Sequence, residues 1–438
     1  MRRLRALPLF LTALIVLGQA ALGPVLSAPA AAQDFASPTQ LGPTVVVIVL
    51  DGCPAGSLDL LPGEAFLCAA QRASGCEEGD CLSTVVRTVF PSSTAAGHAA
   101  IFTGRYPEEN GVTGKEYLRA DESLGRFNSP DLLERPTLFE AARDAGFGTA
   151  MMSAKKNVRL MLSGAADVSV GAEEVPDWVL EAVGPPPDES GQYDDYAGWH
   201  VKLDLWVLAA VQAYLEKDYS PAVIGVNLGS PDKCGHRFGP APAEETAAAI
   251  AAMSRGLEDL AAKLDATRAG NWCMIVTADH GMTRVDKGIT ALDLIDEVAE
   301  STGTEIPVTL DGGVLYVWAE GEAASELAKA LADAEGVAEV IGQDSPEAQA
   351  RRAELHTRHP RTPPLIAVTA SGYMFIESPL FMDYTRGSHG TADLDTDLLV
   401  PLVVYGPRAR DGNAEQLFDA ARSLTDIYGL VMTILGIE

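Results

Sequence analysis

The sequence predicts an α/β protein with a doubly wound, mostly parallel central sheet, helices on both faces and a small α+β cap. Two observations carry this prediction. Short, nearly continuous apolar runs recur along the chain, as in strands that are buried on both faces of a parallel sheet. Helical patterns separate these runs, and acidic residues or histidines stand where several of them end. Ligands of such sheets bind beyond the carboxyl ends of the strands, so those ends are where a site is expected.

The first residues, MRRLRALPLFLTALIVLGQAALGPVLSAPAAAQ, combine an Arg-rich start, an apolar run and an Ala-rich end. These are the three parts of a secretory signal, so we expect residues 1–32 to be a signal peptide that is cleaved near Ala32. A membrane anchor is the alternative, but Gln19, Gly23 and Pro24 interrupt the apolar run. We therefore predict a secreted or periplasmic protein without membrane contact after cleavage.

The strand candidates are apolar runs that end in a small residue, and they lie at 44–52, 147–154, 222–229, 272–281 and 398–406. The longest helical pattern between them covers residues 243–266. From about residue 283 to 384 the pattern changes to GGVLYVWAE, an Ala-rich helix and LIAVTAS. We therefore assign residues 33–282 and 385–438 to the core and residues 283–384 to the α+β cap.

The chain carries a formal net charge of -29, from 32 basic and 61 acidic residues. Such a surface repels polyanions, so nucleic acid polymers and anionic membranes are poor partners, and a small anionic substrate needs local positive charge. Six cysteines in an exported chain predict disulfides, with the cluster from Cys68 to Cys81 as the first candidate. Neither the disulfide connectivity nor the oligomeric state follows from the sequence.

Acids and histidines collect in four short motifs at the predicted strand ends. The motifs LDG, SPDKCGH, TADHG and GSHGTAD supply Asp51, Asp232, His236, Asp279, His280 and His389. Singly, each has a plain structural explanation, such as a turn or an exposed ion pair. Together, carboxylates and imidazoles suit Zn²⁺, and six ligands at one sheet edge are enough for two zinc ions. Two metals about 4 Å apart hold the attacking and leaving oxygens of a phosphoryl displacement.

The segment FPSSTAAGHAAIFTGRYPEENG, residues 90–111, places Ser92, Ser93 and Thr94 at the start of a small-residue helix. Helix capping would account for one hydroxyl, because Ser and Thr side chains accept hydrogen bonds from the first N–H groups. The same helix N-terminus would also attract a phosphate. The segment alone leaves both interpretations open, and capping is the simpler one.

The order of these motifs resembles the alkaline phosphatase superfamily, and the match runs from about Thr44 to Gly406. Within that superfamily, the motifs resemble the branch of nucleotide pyrophosphatases/type I phosphodiesterases and their phosphomonoesterase and phosphonoacetate hydrolase relatives. The resemblance implies an alkaline phosphatase-like core in which Thr94 of TAAGHAAIFTG is the nucleophile and Ser92 and Ser93 are structural. It also implies one zinc site of Asp232, His236 and His389 and a second of Asp51, Thr94, Asp279 and His280.

Two positions depart from the pattern of the family. Where relatives carry Asn, NGVTGK places Lys115 at the phosphate-contacting position. Where relatives carry Lys-x-Lys or Lys-x-Arg after a strand, SAKKNVR supplies Lys155 but has Asn157 at the second position. The alternative explanation for each lysine is that it lies on a solvated face of the protein and has no role in the site.

The motifs and the resemblance together predict an exported hydrolase of phosphoric ester bonds with two Zn²⁺ per chain and a phospho-threonine intermediate. The leading subclass is a phosphodiesterase/nucleotide pyrophosphatase that takes a small phosphorylated substrate. An alkaline phosphomonoesterase and a phosphonoacetate hydrolase are the rival enzymes. An inactive metal-binding recognition protein is the rival from another class, and the complete ligand set together with Thr94 argues against it.

Overall fold

The computed structural model describes residues 42–63, 65–67, 80–217, 221–392 and 394–437. The predicted signal peptide, residues 1–32, lies outside these ranges, as do Cys68 and Cys76. Within the described ranges, every helix is too short or too polar to span a lipid bilayer.

The chain alternates between strands and helices for most of its length. The strands are β1 (Thr44–Leu50), β2 (Cys81–Arg87), β3 (Glu116–Leu118), β4 (Leu124–Arg126), β5 (Gly148–Ser153), β6 (Val168–Val170), β7 (Pro221–Leu228), β8 (Trp272–Thr277), β9 (Thr283–Ile289), β10 (Val308–Asp311), β11 (Val314–Val317), β12 (Val337–Ile341), β13 (Leu365–Thr369), β14 (Gly372–Phe375), β15 (Gly387–Ser388) and β16 (Leu399–Tyr405). The α-helices are α1 (Thr94–Thr103), α2 (Pro107–Asn110), α3 (Leu138–Asp144), α4 (Lys156–Leu162), α5 (Asp177–Ala182), α6 (Gly191–Asp194), α7 (Tyr196–Leu215), α8 (Ser230–Phe238), α9 (Glu244–Arg268), α10 (Leu292–Thr302), α11 (Gly321–Ala332), α12 (Pro346–Glu354), α13 (Asp395–Leu398), α14 (Ala414–Ala420) and α15 (Asp426–Leu435).

Seven strands form the central sheet, in the order β2-β16-β8-β1-β7-β5-β6. Strand β1 pairs in parallel with β7 and β8, and β5 pairs in parallel with β7 and β6. All seven residues of β1 are buried, as expected for a Val/Ile-rich strand covered on both faces. The predicted α/β class with a mostly parallel sheet is therefore confirmed.

Strand β16 runs antiparallel to both of its neighbours, β8 and β2. The run at 398–406 is thus a strand as predicted. Its apolar sequence is typical of a strand in a parallel sheet, but the predicted parallel direction is wrong. Its direction follows from the path of the chain. Backbone N–H groups of Gly281 and Met282, which follow β8, donate to the carbonyl oxygens of Asp397 and Thr396. The chain therefore enters β16 at the edge where β8 ends and has to run back.

A second, four-stranded sheet has the order β10-β11-β13-β12 and is antiparallel throughout. Helices α10 and α11 pack against it through buried apolar side chains that include Ile295, Leu327 and Leu331. All four strands lie inside the segment predicted as a cap, 283–384. The described residues belong to one compact unit, and the domain boundaries at 283 and 384 stay a prediction.

Cys53, Cys234 and Cys273 are buried thiols that form no disulfide. The expectation that the cysteines pair is therefore wrong for these three. Each thiol is packed in the interior as a small apolar group. Burial raises the pKa of Cys53 and of Cys234 to about 12, so neither is a reactive thiolate at neutral pH.

Candidate active site

The predicted site residues meet at one edge of the central sheet because β8, β1, β7 and β5 are neighbours that run in the same direction. Asp279 and His280 follow β8, and Asp51 follows β1. Asp232 lies in α8, which follows β7, and Lys155 follows β5. The order of strands in the sheet therefore places residues from distant parts of the sequence side by side.

Asp232, His236 and His389 form a first cluster, in which their ligand atoms lie within 4.8 Å of one another. Asp232 and His236 are four residues apart on α8 and share one face of that helix. His236 Nε2 is 3.1 Å and His389 Nε2 is 4.0 Å from Asp232 Oδ1. His389 precedes β16, so the antiparallel direction of that strand brings it to this edge.

His280 stands at the centre of the second group. Its Nε2 is 3.6 Å from Asp51 Oδ1, 3.5 Å from Asp279 Oδ2 and 3.3 Å from Thr94 Oγ1. The ligand atoms of Asp51, Asp232 and His280 lie within 4.8 Å of one another, so Asp232 adjoins both groups. The structure thus brings together all seven residues that the resemblance assigns to the two zinc sites.

The hydrogen bonds of the three histidines decide where their protons lie. In each ring, Nδ1 lies 2.7 to 2.9 Å from a backbone carbonyl oxygen, and the pairs are His236 with Gly387, His280 with Gly281 and His389 with Ser92. Carbonyl oxygens only accept hydrogen bonds, so each Nδ1 carries the hydrogen and each Nε2 of a neutral ring presents a lone pair.

This proton arrangement fits a bound metal cation. His236 Nε2 faces Asp232 Oδ1 at 3.1 Å, which leaves two acceptors opposite each other with no hydrogen between them. Asp232 Oδ1 is buried and accepts no hydrogen bond from the residues that the structure describes. Buried carboxylates without donors are costly, and a cation shared with imidazole nitrogens relieves that cost. The donor set suits zinc.

Neighbouring charges set the protonation of the first cluster. Burial opposes ionisation of Asp232, but the charge of Lys155 above all holds its pKa well below the usual range. Burial above all keeps the pKa of His389 well below its ordinary value. The carboxylate is therefore ionised and the imidazole neutral, which are the forms that metal ligands require.

Lys155 lies between the two groups. Its Nζ donates to Asp51 Oδ1 at 2.6 Å, to Asp232 Oδ2 at 2.7 Å and to Thr94 Oγ1 at 3.3 Å. Burial alone would lower the pKa of this ammonium, but Asp232 and Asp51 raise it, so Lys155 is charged. A solvated surface role, the alternative for this lysine, is excluded by these contacts.

A cleft of about 830 Å³ opens above the cluster, and Thr94, Lys155, His236 and His389 reach it. Lys115 also lines the cleft, but it is exposed and its Nζ donates to the carbonyl oxygen of Leu310 at 3.3 Å. Asn157 lies on the same wall as Lys155 and is exposed. Lys115 thus faces the site from the side of the second sheet, and Lys155 faces it from the side of the central sheet.

His98 and Asn227 belong to the site but were not among its predicted residues. Asn227 Nδ2 donates to Asp51 Oδ2 at 2.9 Å and to His98 Nε2 at 3.1 Å. The hydrogen of His98 therefore lies on Nδ1, 2.8 Å from the carbonyl oxygen of Thr94. With both ring nitrogens engaged, His98 connects Thr94 to Asp51 and has no lone pair left for a metal. The four-residue spacing in TAAGH was the available signal for His98.

Ser92 is structural, as expected, but neither serine caps α1. Ser93 occupies the N-cap position without a side-chain hydrogen bond to the helix. Ser92 Oγ accepts from the N–H of Gly390 at 3.0 Å and lies 3.0 Å from Asp397 Oδ2. Thr391 donates to the same carboxylate oxygen from its N–H and its hydroxyl. Ser92 and Asp397 therefore fix the segment that carries His389 against the start of α1.

The sequence profile of the family "Type I phosphodiesterase / nucleotide pyrophosphatase" matches residues 45–392. Among curated proteins, human ectonucleotide pyrophosphatase/phosphodiesterase family member 7 is 27% identical over 253 residues, which are 56% of this chain and 51% of that protein. The mouse counterpart is 25% identical over 250 residues. The chain spans about half the length of these relatives.

Two solved structures share the fold. Phosphonoacetate hydrolase from Sinorhizobium meliloti 1021, in complex with phosphonoformate, has a TM-score of 0.65 at 21% identity. The aligned region covers 90% of this chain and 96% of the hydrolase chain. Murine ectonucleotide pyrophosphatase/phosphodiesterase 5, in an inactive form in complex with AMP, has a TM-score of 0.65 at 18% identity with the same coverage. Because the family profile matches most of the chain, this protein belongs to the type I phosphodiesterase/nucleotide pyrophosphatase family.

Proposed function

We propose that this protein hydrolyses phosphoric ester bonds with Thr94 as the nucleophile and a phospho-threonine intermediate. The position of Thr94 supports this most directly. Its hydroxyl stands at the first residue of α1, 3.3 Å from Lys155 Nζ and 3.3 Å from His280 Nε2. A hydroxyl at a helix N-terminus, next to a buried ammonium, is positioned to attack a bound phosphoryl group.

We further propose two zinc sites, one of Asp232, His236 and His389 and one of Asp51, Thr94, Asp279 and His280. When bound, zinc would supply Lewis-acid charge at the phosphoryl oxygens and lower the pKa of the Thr94 hydroxyl. Lys155 and the first N–H groups of α1 would hold the non-bridging oxygens. Thr94 Oγ1 forms a bond to phosphorus as the bond to the leaving oxygen breaks, and water then cleaves the phospho-threonine.

The leading substrates are small phosphodiesters or nucleotide pyrophosphate bonds, which is what the name of the human relative states for that protein. Phosphonoacetate hydrolysis is the second candidate. The lysines in the cleft favour it, because a phosphonate dianion carries more charge than a diester. An alkaline phosphomonoesterase is favoured by the same observation.

Thr94→Ala tests the nucleophile. Turnover of the best substrate in a panel of diesters, monoesters, nucleotides and phosphonates should fall by several orders of magnitude. Thermal stability should stay unchanged, and zinc should still bind through Asp51, Asp279 and His280. Thr94→Ser, which keeps a hydroxyl, is the matched control and should retain much of the activity. Near-normal turnover by Thr94→Ala would remove Thr94 from the mechanism. A protein that binds zinc but turns over no member of the panel would be the inactive rival.

Metal analysis tests the two sites separately. We expect two zinc ions per chain in active protein, with His389→Ala weakening one site and Asp279→Asn the other. A single tightly held ion in fully active protein would contradict the two-site proposal.

We propose export on the basis of residues 1–32, which lie outside the described ranges. N-terminal sequencing of protein recovered from the medium or periplasm should find a start close to Gln33. Retention of Met1 in exported material would contradict signal cleavage.

A further inference from the structure

The cleft above the candidate site reverses the charge balance of the protein. Acidic residues outnumber basic ones 61 to 32 in the chain. Among the eight acidic and basic side chains that line the cleft, five are basic, and they are Lys115, Arg126, Lys155, Lys156 and Lys233. A local excess of positive charge in an otherwise acidic surface concentrates small anions at that point.

Lys233 stands directly beside a predicted metal ligand, and no step of the proposed mechanism uses it. It follows Asp232 on α8, and its side chain is 39% exposed toward the cleft. Its Nζ lies 3.9 Å from Asp232 Oδ2, and the described residues offer it no other ion pair. That same oxygen already accepts a hydrogen bond from Lys155 at 2.7 Å. One carboxylate oxygen therefore faces two ammonium groups.

The charge of Lys233 is thus incompletely compensated. Lys155 and Lys115 line the same cleft, and their ammonium groups repel that of Lys233. Asp232, its one partner, is also assigned to the first zinc site, and a carboxylate that ligates a metal has little charge left for a lysine. Placing three ammonium groups around one cleft is unfavourable unless an anion binds among them.

The transferred phosphoryl group does not account for Lys233. Lys155 is the lysine that contacts Thr94, so the phosphoryl group next to Thr94 is assigned to Lys155. Lys233 reaches the cleft from α8, on the side of Asp232 and His236. This is the side of the first metal cluster, where the leaving oxygen of an attack by Thr94 would lie.

We propose that Lys233 binds an anionic group on the part of the substrate that is not transferred. The ligand class is a phosphate ester or phosphonate whose leaving portion carries a carboxylate or a further phosphate. This rests on the proposed function, because it takes Thr94 as the nucleophile.

Steady-state kinetics of zinc-loaded Lys233→Met protein test the proposal, because Met keeps the length of the side chain and removes its charge. The substrates are bis(p-nitrophenyl) phosphate, whose leaving group carries no separate anionic group, and ADP and phosphonoacetate, which carry a phosphate and a carboxylate. We expect kcat/KM for ADP, for phosphonoacetate or for both to fall by roughly 10- to 100-fold, mainly through KM, while kcat/KM for bis(p-nitrophenyl) phosphate changes less than about threefold. Lys202→Met removes an exposed lysine of α7 outside the cleft and controls for net charge.

Equal losses on all substrates, or no loss on any, would overturn the subsite. A loss confined to ADP would identify a phosphate as its ligand, and a loss confined to phosphonoacetate a carboxylate. If the wild-type protein hydrolyses no substrate, the proposed function fails. Calorimetric binding of phosphonoformate to zinc-loaded protein then still tests whether Lys233 binds an anionic group. Lys233→Met should then weaken that binding by the same factor, and unchanged affinity would overturn the subsite by itself.

Discussion

At the scale of single residues, Lys155 connects carboxylates that belong to different predicted metal sites. All three hydrogens of its ammonium are engaged, by Asp51, Asp232 and Thr94. An ammonium at 2.6 to 2.7 Å from two carboxylates offsets part of their negative charge and holds them at a fixed separation. The same two carboxylates are assigned to zinc, so Lys155 and the metal ions compete for their charge.

Lys155→Met should therefore raise the affinity for zinc. Removing a like charge next to the ligands favours the cation by roughly tenfold or more, while metal-free protein becomes less stable because two buried carboxylates lose their partner. Zinc titration against a chelator and thermal unfolding with and without zinc measure the two effects. Lys156→Met, at the exposed neighbouring position, should change neither. Weaker zinc binding by Lys155→Met would mean that Lys155 preorganises the site instead of competing for it.

Lys115 tests how the site reads substrate charge. The family resemblance predicts an uncharged amide at this position in relatives, and the Lys115 side chain is exposed in the cleft with a hydrogen bond to the carbonyl oxygen of Leu310. Lys115→Asn should leave diester hydrolysis intact and lower any monoester or phosphonate hydrolysis by roughly one to three orders of magnitude, because a dianion loses a charge-assisted contact. Comparison of kcat/KM for matched substrates decides this. An equal fractional loss on all of them would show that Lys115 does not read substrate charge.

At the scale of elements, helix α1 owes its composition to close packing. A Cβ at Gly97 would lie 2.3 Å from the carbonyl oxygen of Asp279, so only glycine fits where α1 crosses the segment after β8. His98, the next residue, is completely buried and bonds back to Thr94. The small residues of TAAGHAA thus bring Thr94, the proposed nucleophile, close to Asp279 and His280.

Gly97→Ala should lower both stability and activity. Alanine favours a helix over glycine by about 0.5–1 kcal/mol, but an overpacked contact costs about 1–3 kcal/mol, so the clash outweighs the helix propensity. Gly429→Ala in α15, where a Cβ meets nothing within 4 Å, is the matched control and should be neutral or stabilising. Thermal unfolding and kcat of both variants are the measurements. A Gly97→Ala protein with unchanged kcat would show that α1 can shift without cost to the site.

At the scale of the whole molecule, three of the six cysteines are spread through the interior as thiols, after β1, in α8 and in β8. None of these three lies next to another as a disulfide partner, so each contributes to stability as a buried apolar group. The central sheet and the second sheet supply the apolar core of the described residues.

We therefore expect Cys53, Cys234 and Cys273 to be unreactive in native protein and to be alkylated once it is unfolded without reductant. Burial both shields these thiols and raises their pKa values, so reagents that need the thiolate react slowly with the folded state. Mass spectrometry of alkylated peptides identifies the three positions. A disulfide-linked peptide that contains any of them would contradict the structure.

The sequence by itself determined the strands that end in the motifs of the site, the fold class and the resemblance to a family. These are local properties: a run such as TVVVIVLDG reads as a buried strand whatever its neighbours are, and the spacing from Thr94 to Thr103-Gly104 does not depend on packing. The grouping of the seven predicted ligands followed from the resemblance and from the rule that ligands collect at the carboxyl ends of parallel strands.

Only the tertiary structure decided which strands are neighbours, and with them the contacts that cross the site. The order β8-β1-β7-β5 and the reversed direction of β16 result from packing between distant segments, which local patterns do not encode. Lys155 was a candidate through the family resemblance, but its place between Asp51 and Asp232 depends on β5, β1 and β7 meeting at one edge. Asn227 carried no distinctive motif and His98 only its spacing from Thr94, because their contacts with each other and with Asp51 join distant parts of the sequence.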